Sequence, residues 1–122
     1  MFDSKLKESY FPAIKDFPVK NQTIGETLAK IARTKGKNEA LLEVTRTGQV
    51  GRLWTYEKLY KDSLKLAYAL ASRFKKGAHI VIWSSNSPEW VLMEYATALA
   101  GLVMVTANPA LQEKELRYIL EQ

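Results

Sequence analysis

The chain is 122 residues long and 47% apolar, which is enough for one globular domain with its own core. Its 18 Lys and Arg against 13 Asp and Glu give a net charge of +5, which suits an anionic partner but also a lysine-rich solvated surface, the interpretation we favour. Cysteine is absent, which excludes disulfides and thiolate metal sites and fits a reducing compartment. No apolar run reaches membrane-spanning length and no secretory signal is visible, so we expect a cytoplasmic protein without a transmembrane segment.

Residues 1–22 are predicted to form an irregular arm. Pro12 and Pro18 interrupt any long helix there, and lysines alternate with aromatic residues that can anchor the arm. Residues 23–122 are predicted to form one folded unit that follows the arm.

A helix and a hairpin are predicted to open the folded unit. Thr23 and Glu26 have the S/T-x-x-E spacing of a capping box, which predicts a helix start, and Gly36 is a suitable stop. The segments 39–45 and 50–55 are rich in strand-forming residues and are separated by a Gly-containing turn. This pattern predicts a β-hairpin.

Two further helices are predicted from their start signals. Thr55 can cap a long amphipathic helix over 56–74, whose leucines recur at helical spacing. Ser87 is a good N-cap for a third helix, with Pro88 at its first position and Glu89 complementing the helix dipole.

The third helix lies between two apolar segments, 79–83 and 102–106. Neither segment alternates apolar with polar residues, which is typical of parallel strands covered on both faces. Strand, helix and strand make a βαβ unit, and a last helix is predicted at about 112–121. The fold class is therefore α/β: a layered, partial doubly wound sheet with an N-terminal β-hairpin and a parallel βαβ unit.

The third helix is apolar around most of its circumference. After Glu89 only Glu94 and Thr97 are strongly polar before Gly101. Such a helix is normally buried on more than one side, which a chain of this length can hardly achieve. This predicts that the chain belongs to a larger body.

Few residues are candidates for chemistry. His79 is the only histidine and begins an apolar strand, so we assign it a structural role, and a zinc site is not expected. No G-x-S-x-G elbow is present. The carboxylates are interpreted as surface groups or helix-dipole partners, and none stands out as a general acid or base. They occur as the pairs Glu39/Glu43, Glu57/Asp62, Glu89/Glu94 and Glu113/Glu115.

Two segments could bind an anion or a nucleic acid, and each also has a purely structural interpretation. The polar loop 84–87 lies between a strand and a helix, where free N–H groups can bind an anion, but it has neither glycine nor lysine. A capped helix start is the preferred interpretation. Lys58, Lys61 and Lys65 form a basic stripe, but Glu57 and Asp62 interrupt it, so a solvated helix face is preferred to nucleic-acid binding.

Several blocks of sequence follow one another in a characteristic order between about Thr23 and Gln122. They are Leu53-Trp54-Thr55-Tyr56 with Leu66-Ala67-Tyr68-Ala69-Leu70, Asn86-Ser87-Pro88-Glu89-Trp90, Thr106-Ala107-Asn108-Pro109, and Glu115-Leu116-Arg117-Tyr118-Ile119-Leu120. Together they resemble blocks of the adenylate-forming enzymes, which include acyl-CoA synthetases, luciferases and the adenylation domains of peptide synthetases. Asn108-Pro109, in place of Asp-Pro, leans toward carboxylic acid–CoA ligases such as the fatty acid–CoA ligases.

The resemblance implies the first subdomain of an enzyme that uses ATP and Mg²⁺ to form an acyl-adenylate and then transfers the acyl group to CoA. The catalytic parts of that family are a Ser/Thr/Gly-rich loop ending in Pro-Lys, a Tyr-Gly-x-Thr-Glu stretch, a ribose-binding Asp and a C-terminal lysine. None has a counterpart in this chain, so we assign no catalytic, cofactor-binding or metal-binding residue and expect no tight cofactor binding by this portion.

Two interpretations follow from the sequence. In the first, the chain is the inactive N-terminal portion of a carboxylic acid–CoA ligase with a fatty acid as the expected substrate, and its main partner is the remainder of the same enzyme. In the second, it is a stand-alone α/β module that binds a partner protein. If the parts of the enzyme that would cover the third helix or the sheet edges are missing, the chain is expected to expose an apolar patch and to self-associate.

Overall fold

The computed structural model describes residues 20–122. The predicted arm lies outside the described residues except for 20–22, which are exposed and have no regular secondary structure. Within 20–122, no helix has both the length and the apolar character needed to cross a bilayer. The elements are α1 (Ile24–Thr34), β1 (Glu39–Val44), β2 (Val50–Thr55), α2 (Tyr56–Ala71), β3 (His79–Trp83), α3 (Pro88–Ala100), β4 (Val103–Ala107) and α4 (Glu113–Glu121).

The start of α1 is the predicted capping box. The backbone N–H of Glu26 donates to Thr23 Oγ1 at 3.1 Å, and the N–H of Thr23 donates to Glu26 Oε2 at 2.8 Å. The helix ends before Gly36, with Lys35 as its C-cap. Gly36 does not take the left-handed conformation of a helix stop. It is instead a point of close approach, since a Cβ there would lie 2.4 Å from the carbonyl oxygen of Ala32.

The predicted hairpin is confirmed, and its two strands are antiparallel. Leu42 pairs with Leu53 and Val44 pairs with Val50, with irregularities in register on either side of Leu42. The turn contains Gly48, whose φ of 78° lies in the left-handed region that favours glycine.

The helix α2 begins without a linker after β2. Thr55 is the last residue of the strand and also the N-cap, since the N–H of Lys58 donates to Thr55 Oγ1 at 3.3 Å. The helix ends at Ala71, three residues before the predicted end. There the backbone passes into a tighter turn, in which the N–H of Arg73 donates to the carbonyl of Leu70 at 3.0 Å.

The βαβ unit is confirmed. Strands β3 and β4 are parallel and in register from His79 opposite Val103 to Trp83 opposite Ala107. Gly101, with φ of 69°, ends α3 in the left-handed conformation. Within the described residues, the hairpin and the parallel pair remain separate two-stranded sheets.

The core lies where α2 and α3 pack together and where the hairpin meets α1 and α2. Leu28, Trp54 and Leu59 form its buried cluster. Ser63 and Thr97 are also fully buried; the Thr97 hydroxyl donates to the carbonyl of Met93 at 2.8 Å. The hydroxyl of Ser63 has no hydrogen-bond partner among the described residues.

The helix α3 is shielded over most of its surface by α1, α2, β4 and β1. Apart from Glu89, every residue of the helix is buried or half-buried. The exposed large apolar side chains lie elsewhere, notably on the hairpin at Leu42, Val44, Val50 and Leu53. We call these four side chains the outer face of the hairpin.

Candidate functional site

Two loops meet at the carboxyl ends of the parallel strands, where ligands gather in open α/β sheets. The loop 84–87 follows β3, and Asn108 follows β4. The indole Nε1–H of Trp83 donates to the carbonyl oxygen of Asn108 at 3.1 Å, which ties the two loops together. This edge is therefore the candidate functional site.

At the start of α3, backbone N–H groups that an anion would need are already hydrogen-bonded to side chains of the chain itself. Ser87 Oγ accepts the N–H of Trp90 at 3.3 Å, and the hydroxyl of Ser84 donates to the carbonyl of Ser85. The pKa of the Glu89 carboxyl is lowered first by its hydrogen bond with Arg52 and further by its own backbone N–H and the Ser87 hydroxyl. A carboxylate thus occupies the positive end of the helix dipole, which favours the capped helix start over a phosphate site.

Arg52 connects the hairpin to this helix start. Its Nε and Nη2 donate to the two carboxylate oxygens of Glu43 at 2.8 and 2.9 Å, a bidentate contact. Its guanidinium also donates to Glu89, with 3.2 Å between Nη2 and Oε2. These hydrogen bonds lower the pKa of Glu43 to about 2 and raise the pKa of Arg52. Glu43 and Glu89 are therefore joined by a cation and are not a general acid–base pair.

Trp54 lies beside this ion-pair network. Its ring centroid is 5.2 Å from the guanidinium carbon of Arg52 and 5.0 Å from the ammonium nitrogen of Lys58. Its indole Nε1–H donates to Asp62 Oδ2 at 3.0 Å. The Asp62 carboxylate therefore satisfies a buried tryptophan, which was not foreseen from the sequence.

Two further carboxylates form ion pairs. Glu57 pairs with Lys61 at 2.6 Å, and Glu113 pairs with Arg117 at 3.1 Å. His79 lies at the amino end of β3, away from the two loops. Within residues 20–122, no group of three or more His, Asp or Glu side chains converges on a possible metal position.

The described residues do not fit MgATP. The loop 84–87 offers no glycine for close approach of a phosphate, and the Glu89 carboxylate would repel one. The carboxylates near it are held by Arg52, so they do not form an oxygen-ligand set for Mg²⁺. The described residues at this edge therefore provide no catalytic step through nucleotide or metal.

Comparison of sequences identifies the family. The profile described as AMP-binding enzyme matches residues 28–122. The chain is 33% identical to the mitochondrial medium-chain acyl-CoA ligase of Danio rerio over 118 residues, covering 96% of the chain and 19% of that protein. It is 49% identical over 47 residues to a putative acyl-CoA synthetase of Bacillus subtilis, covering 38% of the chain and 9% of that protein. The chain spans about a fifth of the length of the curated relatives that match most of it.

Comparison of structures agrees on the fold. The N-terminal domain of FACL13 from Mycobacterium tuberculosis matches with a TM-score of 0.71 and 26% identity, over 80% of this chain and 24% of that one. The N-terminal subdomain of NpsA from Klebsiella oxytoca matches with a TM-score of 0.72 and 24% identity, over 81% and 25%. The chain belongs to the AMP-binding, adenylate-forming enzyme family, and its fold corresponds to part of the N-terminal subdomain of those enzymes.

Proposed function

We propose that the chain works as the N-terminal portion of an ATP-dependent carboxylic acid–CoA ligase, with a fatty acid as its substrate. The observation that carries this proposal is the 33% identity to a medium-chain acyl-CoA ligase across 96% of the chain. ATP, Mg²⁺ and CoA belong to the complete enzyme, which forms an acyl-adenylate and then the thioester. The stand-alone binding module is less favoured because the family profile covers residues 28–122.

The contribution of this portion is structural. The hairpin, α2 and the βαβ unit form a scaffold in which Arg52 fixes the start of α3 beside β1. The described carboxylates that have a partner are bound by a lysine, arginine or tryptophan side chain or by a backbone N–H at a helix start. We infer that the groups that bind nucleotide and acid belong to other parts of the enzyme.

A segment exchange tests the proposal. Residues 28–122 replace the matching segment of the Danio rerio ligase, and pyrophosphate release is measured with a medium-chain fatty acid, ATP, Mg²⁺ and CoA. We expect the chimera to retain activity, and the same chimera with Trp54→Ala to lose it because the scaffold is disrupted. A folded but inactive chimera contradicts the proposal.

The chain by itself is expected to be inactive in the same assay. The unmodified ligase is the positive control, and pyrophosphate release by the 122-residue chain would overturn the assignment of catalysis to other parts of the enzyme. The cytoplasmic location also stays a prediction, and the Danio rerio ligase is named as a mitochondrial protein. Fractionation of cells that express the natural protein would test it.

We further propose that the isolated chain self-associates through its exposed apolar surface. The side chains of the outer face are 38–68% exposed, which is high for paired strand residues of this type. Hydrophobic-dye fluorescence and sedimentation velocity test this directly, and a dye-silent monomer would contradict it.

A further inference from the structure

A basic cleft lies between the carboxyl end of α1 and the first turns of α2, on a different surface from the loops after β3 and β4. It has a volume of about 730 Å³. Four cationic side chains, Arg33, Lys35, Lys37 and Lys61, line it together with the ring of Tyr60. We call this the basic cleft.

The backbone of the cleft is fixed by hydrogen bonds. The N–H of Tyr56 donates to the carbonyl of Asn38 at 3.0 Å, and the N–H of Glu57 donates to the carbonyl of Gly36 at 3.0 Å. The loop 35–38 is thereby held against the start of α2. A Cβ on Gly36 would lie 2.4 Å from the carbonyl oxygen of Ala32 and 3.3 Å from Glu57 Cβ, so the backbone is closely packed at this point. The backbone of the cleft is therefore held by contacts within the chain.

The charge in the cleft is mostly uncompensated. Glu57 is its one acidic side chain and pairs with Lys61, with 2.6 Å between the ammonium nitrogen and the carboxylate oxygen. The pKa of Glu57 is lowered first by the hydrogen bond from Lys61 and additionally by the charge of Lys37. Among residues 20–122, Arg33, Lys35 and Lys37 form no ion pair.

The α1 dipole accounts for only part of this charge. A helix carboxyl end carries about half a negative elementary charge, which one cation in the last turn, Arg33, already complements. The remaining lysines concentrate positive potential in a concave site, and such clefts raise the local concentration of anions. Several cations around one cleft match an anion with several charges better than a single carboxylate.

We propose that the basic cleft binds a ligand that carries two or more phosphate groups. Lys35, Lys37 and Arg33 contact the phosphates, and Tyr60 provides an apolar wall. The ligand is either a free polyphosphate or the phosphorylated headgroup of a lipid. The proposal does not depend on the proposed ligase function, because it rests on residues outside the strand-end loops.

Pyrophosphate is the probe for the free form. The full 122-residue chain is labelled with ¹⁵N and titrated, and saturable shifts are expected at Gly36, Asn38 and the side chain of Arg33. The double variant Lys35→Gln/Lys37→Gln is expected to weaken binding about tenfold or more, whereas Lys65→Gln/Lys75→Gln, which removes the same charge outside the cleft, changes it less than about twofold.

Vesicles are the probe for the lipid form. Co-sedimentation is compared between phosphatidylcholine vesicles with and without a phosphatidylinositol bisphosphate, using the same two double variants. Binding to pyrophosphate or to the phosphorylated vesicles that Lys35→Gln/Lys37→Gln selectively removes supports the proposal and identifies the source of the phosphates. Binding to neither probe, or equal loss in both variants, overturns it, and circular dichroism confirms that both variants are folded.

Discussion

The two faces of the β1–β2 hairpin differ in how far their side chains are buried. On the inner face, Trp54 is 4% exposed and packs in the core, while Arg52 and Glu43 attach the hairpin to α3. On the outer face, the paired residues Leu42 and Leu53 are apolar but remain 46% and 38% exposed. Antiparallel strands can leave one face open to solvent, and within residues 20–122 only the inner face of this hairpin is covered.

The largest change in unfolding free energy is expected from a substitution on the inner face. Replacing Trp54 with alanine removes a buried aromatic side chain and leaves a cavity, which lowers the free energy of unfolding by about 3 to 5 kcal/mol. Leu53→Ala, on the outer face of the same strand, is expected to cost less than about 1 kcal/mol. Urea unfolding monitored by circular dichroism measures both, and Trp54→Phe serves as a milder variant if the alanine variant does not fold. Equal losses of unfolding free energy at Trp54 and Leu53 would contradict the difference between the inner and outer faces.

A second, smaller effect concerns pH and the inner face. The pKa of Glu43 is about 2 in the folded chain, against 4.5 as the ordinary value, because Arg52 donates hydrogen bonds to its carboxylate. A lowered folded pKa means that this stabilisation is complete above about pH 4.5 and is lost as the pH falls toward 2. Wild type should therefore exceed Glu43→Gln in unfolding free energy at neutral pH, and the two should converge on acidification. A difference that stays constant from neutral pH to strong acid would show that the hydrogen bonds do not depend on the carboxylate charge.

The smallest effect on stability is expected on the outer face. Leu42→Thr combined with Val44→Thr keeps strand-forming side chains but reduces the exposed apolar surface, so the unfolding free energy should change by less than about 1 kcal/mol. Dye fluorescence and the sedimentation coefficient should nevertheless fall. Tyr68→Ser, at another exposed apolar position on α2, is the matched control and should leave self-association unchanged. The comparison fails if both variants lower association equally.

Local signals allowed much of the fold to be predicted. The capping box at Thr23 and the N-caps at Thr55 and Ser87 depend on residues close together in sequence, and all three form as expected. The end of α2 was less predictable, because Phe74 continues the apolar spacing while the backbone has already left the helix after Ala71.

Long-range partners could not be predicted in the same way. Arg52 and Glu89 are 37 positions apart, and nothing in a single sequence indicates that the hairpin lies beside the start of α3. Glu89 was interpreted only as a helix-dipole partner, although it also holds Arg52. The contact between Trp54 and Asp62 was missed for a similar reason, since a tryptophan N–H reveals its acceptor only after packing.

The direct passage from β2 into α2 at Thr55 couples the hairpin mechanically to the helix. Each residue turns a helix by about 100°, so one residue inserted after Thr55 would rotate Leu59 away from the core unless the whole hairpin slipped in register. The register of the hairpin strands and the rotation of α2 are therefore coupled, and neither can change without the other. The turn at Gly48, with open space around it, has no such coupling, and we expect this scaffold to accept additional residues there.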